Sequence, residues 1–389
     1  MTAAAPQLPT VAKLGTAVTI AYASSYYLPA IVAADMARSL GVATSTVFLA
    51  FSAALMVSAL LGPWAGRLVD GLGGRVVLPV TSGVFAAGLV AMAAAHGPVS
   101  LLAAWALMGV AMAAGFYEAA FATLVRLYGT QSRAALTGIT LIAGFASTVG
   151  WPLTTWMNSA WGWRGACLGW AAIHLLVALP LNLWLPTGRA QAQAAAPSPA
   201  PPPVDVAPPP APSTAWLLAF VFGVTWFIST AMAAHLPQLL QAGGVGLAAA
   251  VALAALVGPA QVAGRLLEYS LLRNVSPLAA ARVASLAHAV GALVFLAAGV
   301  PAGVVLTVLH GAGNGVMTIA NGTLPLMFFG PSGYGARQGR LMMPARFAQA
   351  LAPYGFGLVI ERWGASALWL SAGLGVLGFA ALMALRTRR

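Results

Sequence analysis

Apolar residues dominate this chain in long runs, and polar residues fall mostly between them. Neither the alternation of a half-buried strand nor the narrow stripe of a surface helix is the main signal. Runs of about 20 residues, enough to cross roughly 30 Å of hydrocarbon, can be counted at 12–34, 44–65, 76–96, 98–124, 134–157 and 163–185. After a break they resume at 214–240, 246–268, 278–300, 302–326, 338–360 and 365–386. The pattern predicts an all-α polytopic membrane protein with twelve transmembrane helices in two sets of six. Residues 1–11 form a short N-terminus, 12–185 and 214–386 the two six-helix halves, and 387–389 a tail. The break, 186–213, contains AQAQAAAPSPAPPPVDVAPPPAPS. Proline fixes φ and lacks a donor, so such a run cannot lie in lipid as a helix and reads as an extended linker.

Composition agrees with the pattern. Of 389 residues, 60% are hydrophobic and 6% charged, against about a quarter charged in soluble domains. The net charge of +12 does not pool into a nucleic-acid patch, since the basic residues sit at the ends of apolar runs. With the N-terminus inside, Lys13, Arg67, Arg75, Arg126, Arg133, Arg189, Arg265, Arg273, Arg337, Arg340, Arg386, Arg388 and Arg389 fall on the cytoplasmic side; Arg38, Arg164 and Arg362 fall outside. This positive-inside bias predicts cytoplasmic termini and a plasma-membrane location, the inner membrane in a Gram-negative cell. The single cysteine, Cys167, excludes an intrachain disulfide and a cysteine-rich metal site. The five histidines lack metal-ligand spacing, and no metal or cofactor is expected.

The charges between runs two and three read GPWAGRLVDGLGGR. Ala65-Gly66-Arg67-Leu68 returns as Ala263-Gly264-Arg265-Leu266, each followed by an acid, Asp70 or Glu268. Both copies close the second span of their half. Arg67 and Arg75 can pair with Asp70 or with a helix end across the boundary between halves, giving a gate of Arg67, Asp70, Arg75, Arg265 and Glu268; the alternative is a plain positive loop. Gly66-Arg67-Leu68-Val69-Asp70-Gly71-Leu72-Gly73-Gly74-Arg75 resembles the loop signature of the major facilitator superfamily between spans two and three, roughly G-x-L-A-D-R-x-G-R-R. Gly71 stands where an arginine is usual and Gly74 where a second basic residue is usual. The resemblance implies two pseudo-symmetric six-helix bundles, a central solute site and alternating access. The span-five stretch Gly144 to Pro152 matches the superfamily's antiporter pattern poorly and resembles bacterial monocarboxylate-type carriers.

Polar groups inside the spans are costly and therefore informative. Glu118 is the only acid deep within a run; it can carry a proton or pair with Arg126 or Arg133. Arg346 lies about eight residues, roughly 12 Å, into the eleventh span, placed to bind a carboxylate, to neutralise Glu118 or to snorkel. Tyr22 and Tyr26 share a helix face, as do His310 and Asn314; with Trp226 and Arg346 they make the candidate substrate-binding set. Glu118, His235 and His288 are candidate proton carriers. No G-x-x-x-x-G-K-S/T loop is present, and no clustered nucleophile or acid pair suggests an enzyme. The expectation is a secondary transporter, acting as a monomer in the bilayer, for a small organic solute such as a monocarboxylate or other organic anion moved with a proton. The alternative is a proton-coupled exporter of amphipathic compounds, for which the 12 tryptophans and 13 methionines would line a broad cavity.

Overall fold

The structure, a computed structural model, describes residues 7–188, 212–270, 275–329 and 334–385. Most of the proline-rich linker, Arg189, Arg273 and the terminal Arg386, Arg388 and Arg389 lie outside the described residues, as do the side chains of Arg133, Arg337 and Arg340. Among the described residues all regular structure is helical. Ten stretches are long and apolar enough to cross a membrane: α1 Gln7–Leu40, α2 Thr44–Leu72, α3 Gly74–Ala93, α4 Pro98–Tyr128, α5 Ala135–Leu183, α6 Ser213–Ala242, α7 Leu247–Glu268, α8 Pro277–Ala298, α9 Val300–Phe329 and α10 Leu341–Ala384.

The difference between ten and the twelve expected lies in α5 and α10, with 49 and 44 residues. As straight helices they would run about 65 Å or more, twice the hydrocarbon thickness. Each is broken by a glycine in the left-handed region: Gly162 at φ 69° inside α5, and Gly364 at φ 55° opening a tight turn over Gly364–Ala367 in α10. Only glycine takes that backbone shape cheaply, and both glycines stand where the hydropathy pattern divides its runs.

Two further breaks matter for the site. In α1 the ladder widens to a π-turn over Tyr22–Tyr26, with Tyr27 N–H donating to the Tyr22 carbonyl at 3.1 Å, and helix resumes at Pro29. In α4 Phe116 adopts extended φ/ψ, −92° and −169°, and helix restarts over Tyr117–Tyr128. Such interruptions are tolerated at membrane depth only where protein or a cavity surrounds them.

Small residues set the packing. Val11 lies on Gly138, Ile142 on Gly15 and Ala23 on Gly150; the sequence separation is the same in all three pairs, so α1 and the start of α5 run side by side in register. Residues 7–188 meet residues 212–385 along two antiparallel pairs. In one, α2 faces α10: Ser45 N–H donates to Glu361 Oε1 at 2.8 Å and Tyr354 N–H to Ser52 Oγ at 3.1 Å. In the other, α5 faces α7: Thr148 Oγ1 donates to the Ala255 carbonyl at 2.8 Å, and Gly258 leaves no room for a Cβ beside Thr148. Outward-facing Val80, Leu176, Trp216, Val283 and Trp369 are exposed, as an apolar solvent demands.

Candidate functional site

A cavity of about 500 Å³ lies between the two halves of the chain, within the range of small-molecule sites, walled by α1, α2, α4, α6 and α10. Its apolar lining includes Leu55, Met112, Phe116, Met342 and Phe347; its polar groups are Tyr22, Ser58, Glu118, Trp226, Arg346 and Gln349. The Ser45–Glu361 and Tyr354–Ser52 contacts close the space beyond one end. Leu60, Pro63 and Met343 line the other and are exposed.

The helix breaks aim side chains into this space. The π-turn brings Tyr22 against Phe116, their rings stacked at 4.0 Å. The restart after Phe116 puts Glu118 in the first turn of a helix, where unpaired N–H groups favour a carboxylate. Arg346 reaches it from α10, Nη2 to Oε1 3.4 Å, with side chains 39% and 61% exposed. It is an ion pair across the halves, wet enough to be worth little as a structural link. A Cβ on Gly62 would stand 3.2 Å from Arg346 Nη1, so the glycine leaves room for the guanidinium. Trp226 lines the cavity, its buried Nε1 without a hydrogen-bond partner among the described residues.

Tyr26 is buried behind Tyr22, and its hydroxyl bonds Thr230 Oγ1 at 2.6 Å and Gln349 Nε2 at 3.4 Å. It ties α1 to α6 and α10 at the cavity's edge. His235 is fully buried against Phe48; its Nε2 bonds the Pro353 carbonyl at 2.8 Å and its Nδ1 bonds Gln238 at 3.2 Å. Both ring nitrogens are thus engaged on the closed side. His310 and Asn314 do share a face, but it lines a separate small pocket with His288, inside the second half.

The gating residues divide. Arg67, Asp70 and Arg75 are exposed, and among the described residues neither arginine forms a salt bridge with Asp70. The end of α2 is held instead by Arg126, whose Nη1 donates to the carbonyls of Val69, Asp70 and Gly71. Glu268 is half-buried. Arg265 is 7% exposed and crosses between the halves, its Nη1 donating to the Thr140 carbonyl at 2.5 Å while Nε has no partner. Tyr117 interacts with the same guanidinium and packs on Tyr22, centroids 5.1 Å apart, so Arg265 stands one aromatic ring behind the cavity wall. No carboxylate lies within salt-bridge distance of it among the described residues.

Thr230, Phe116 and Thr140 join the site without any mark in the sequence. Gln349 had a faint one, three residues beyond Arg346 and so on its face.

The Major Facilitator Superfamily model matches residues 14–301, and the chain belongs to that superfamily. It is a multi-pass membrane protein of secondary transport, moving small solutes by alternating access, and not an enzyme. An uncharacterized 38 kDa protein encoded in a 23S RNA operon of Thermoproteus tenax is 29% identical over 349 residues, covering 89% of this chain and 87% of that one. Three solved structures share the fold. A bacterial homolog of the human lysosomal transporter Spinster, inward-facing and occupied, is 16% identical with TM-score 0.68 over 96% of this chain and 95% of its own. A nucleoside transporter is 14% identical with TM-score 0.74, covering 97% and 98%. A D-xylose–proton symporter is 13% identical with TM-score 0.73, covering 98% of each chain.

Proposed function

We propose that the chain is a twelve-span carrier of two pseudo-symmetric six-helix bundles that moves a small organic anion, such as a monocarboxylate, together with a proton. The observation that carries this is a charge count between the halves: among the described residues Arg346 pairs with one acid, Glu118, and the buried Arg265 has no carboxylate within salt-bridge distance. A buried cation without an acid is expensive unless something anionic meets it. A carboxylate offers the two oxygens a guanidinium fork fits.

Glu118 supplies the coupling. While it is ionised it occupies Arg346. A proton on Glu118 releases the guanidinium for the substrate carboxylate, so proton and anion enter together with little change in buried charge. Tyr22, Tyr26 and Trp226 shape the chamber, and Tyr117 screens Arg265 from it. With both termini cytoplasmic in a plasma membrane, the exposed Leu60, Pro63 and Met343 end faces inward. The loop of Arg67, Asp70 and Arg75, with Arg265 and Glu268, would then work the cytoplasmic gate.

The test is a thermal-shift titration of purified protein with L-lactate and other organic acids, in wild type and Arg346→Ala. A shift that is larger at about pH 5.5 than at about pH 7.5, and lost in the variant, is expected, since ligand binding stabilises by mass action. Organic-acid binding unchanged by Arg346→Ala sinks the anion role. The apolar lining by Leu55, Met112, Phe116, Met342 and Phe347 favours a second reading, an exporter of amphipathic compounds. Raised drug resistance in an efflux-deficient host would support it.

A further inference from the structure

Residues 212–385 enclose a second, much smaller pocket, about 40 Å³, between α6, α8, α9 and the last part of α10. His288 of α8 and His310 of α9 meet there edge to face, ring centroids 5.0 Å apart, and are 6% and 4% exposed. Among the described residues neither nitrogen of His288, both buried, has a hydrogen-bond partner. An imidazole must place a donor and an acceptor, or two donors when charged, so the ring as it stands leaves its hydrogen-bonding capacity unmet. The pocket exceeds the roughly 10–15 Å³ that one water needs, and the polar groups around it suit water: Asn314 from α9, Thr225 and Ser229 from α6, and Ser285 from α8.

The first half has a comparable pocket, about 20 Å³, bounded by α1, α3 and α5 and holding His174 and Asn182. Each of its polar side chains has found one partner: His174 Nε2 bonds Ser24 Oγ at 2.8 Å and Asn182 Nδ2 donates to Ser82 Oγ at 3.0 Å, while His174 Nδ1 and Asn182 Oδ1 have none among the described residues. His174 is cross-linked into its helices; His288 is not.

We infer that His288 and His310, bridged by water and Asn314, form a proton-loading site in the second half, separate from Glu118. One proton adds to a ring nitrogen lone pair of the pair, and the other imidazole, through water, accepts the new N–H. Two charged rings at this separation would repel, so the site takes one proton. Among the described residues that line the pocket nothing else titrates: α6 presents Thr225 and Ser229, α8 Ser285, α9 Asn314, and α10 Gly375 and Gly378. Arg282, six residues before His288, is tied to the Leu382 and Leu385 carbonyls. Thr225 and Ser229 flank Trp226 on α6, so one helix borders both this pocket and the central cavity, and loading one can be felt at the other. The inference rests on the proton-coupled reading for its purpose, but not for its test.

The probe is the proton itself. Full-length protein labelled with ¹⁵N-histidine is titrated by NMR, with signals assigned through His288→Gln and His310→Gln. His288 and His310 are expected to titrate as one coupled step, and loss of either ring to move the other's midpoint by about one unit or more. His174 and His235, already hydrogen-bonded, are the internal comparison. Rings that do not titrate while the protein stays folded, or that ignore each other's removal, would overturn the proposal and leave a packed aromatic pair. If the variants do not fold, Asn314→Ala serves instead and should shift both midpoints; unmoved midpoints there also count against it. Failure of L-lactate to bind wild type would remove the anion reading and leave this titration intact.

Discussion

Ala65-Gly66-Arg67-Leu68 and Ala263-Gly264-Arg265-Leu266 have the same four letters and opposite surroundings. A Cβ on Gly66 would meet nothing within 4 Å; on Gly264 it would stand 2.5 Å from the Ala312 carbonyl. Arg67 is exposed, while Arg265 is buried and donates into the other half at Thr140. The first copy ends a helix at the membrane edge. The second sits where α7 is pressed between α5 and α9. The letters fix what a residue can do, and the neighbours decide whether it is asked to.

The largest expected difference between the copies is in ligand binding. Arg265→Ala should weaken L-lactate binding by roughly tenfold, because its charge acts on the chamber from behind Tyr117 and not by contact, while Arg67→Ala should stay within about twofold because solvent screens it. Arg265→Lys should recover most of the loss, since the positive charge is kept. Isothermal titration of all three decides it; equal effects from Arg67→Ala and Arg265→Ala would erase the distinction. Next in size is stability. Gly264→Ala should cost about 1–3 kcal/mol by overpacking, whereas Gly66→Ala should gain up to about 1 kcal/mol from helix propensity. Thermal unfolding in detergent should therefore move in opposite directions.

The elements that were legible in the sequence are those set by local chemistry. Apolar length marked the spans, and Gly162 and Gly364 sit at the divisions because a reversing chain needs their backbone freedom. Glu118 and Arg346 were conspicuous as charges inside spans, and their pairing was one of the options open. The i, i+4 spacing of His310 and Asn314 correctly predicted one shared face. It did not reveal that the face looks into a pocket with His288, because that depends on how α8 and α9 register. The burial of Arg265 was hidden for the same reason: its local sequence equals that of the exposed Arg67. Thr230 and Thr140 carry no signal at all, since a lone hydroxyl or carbonyl acquires a role only when another helix arrives.

The smallest effect probes the first copy alone. Arg126 donates to three carbonyls at the end of α2, those of Val69, Asp70 and Gly71; the first also takes the Gly73 N–H at 2.8 Å, while the other two are helix-end carbonyls beyond the reach of the helical ladder. It also lies against Gly73, where an added Cβ would come within 3.3 Å of its Nε. The main chain of the Asp70 loop is therefore held by Arg126, and the Asp70 carboxylate is free to face water. Arg126→Ala should cost about 1 kcal/mol, and Asp70→Asn, which leaves the carbonyl in place, about 0.5 kcal/mol or less. If Asp70→Asn proved the costlier of the two in thermal unfolding, the side chain would be the tie. The loop would then act as a charge-paired gate, bringing the first copy closer to the second than their environments suggest.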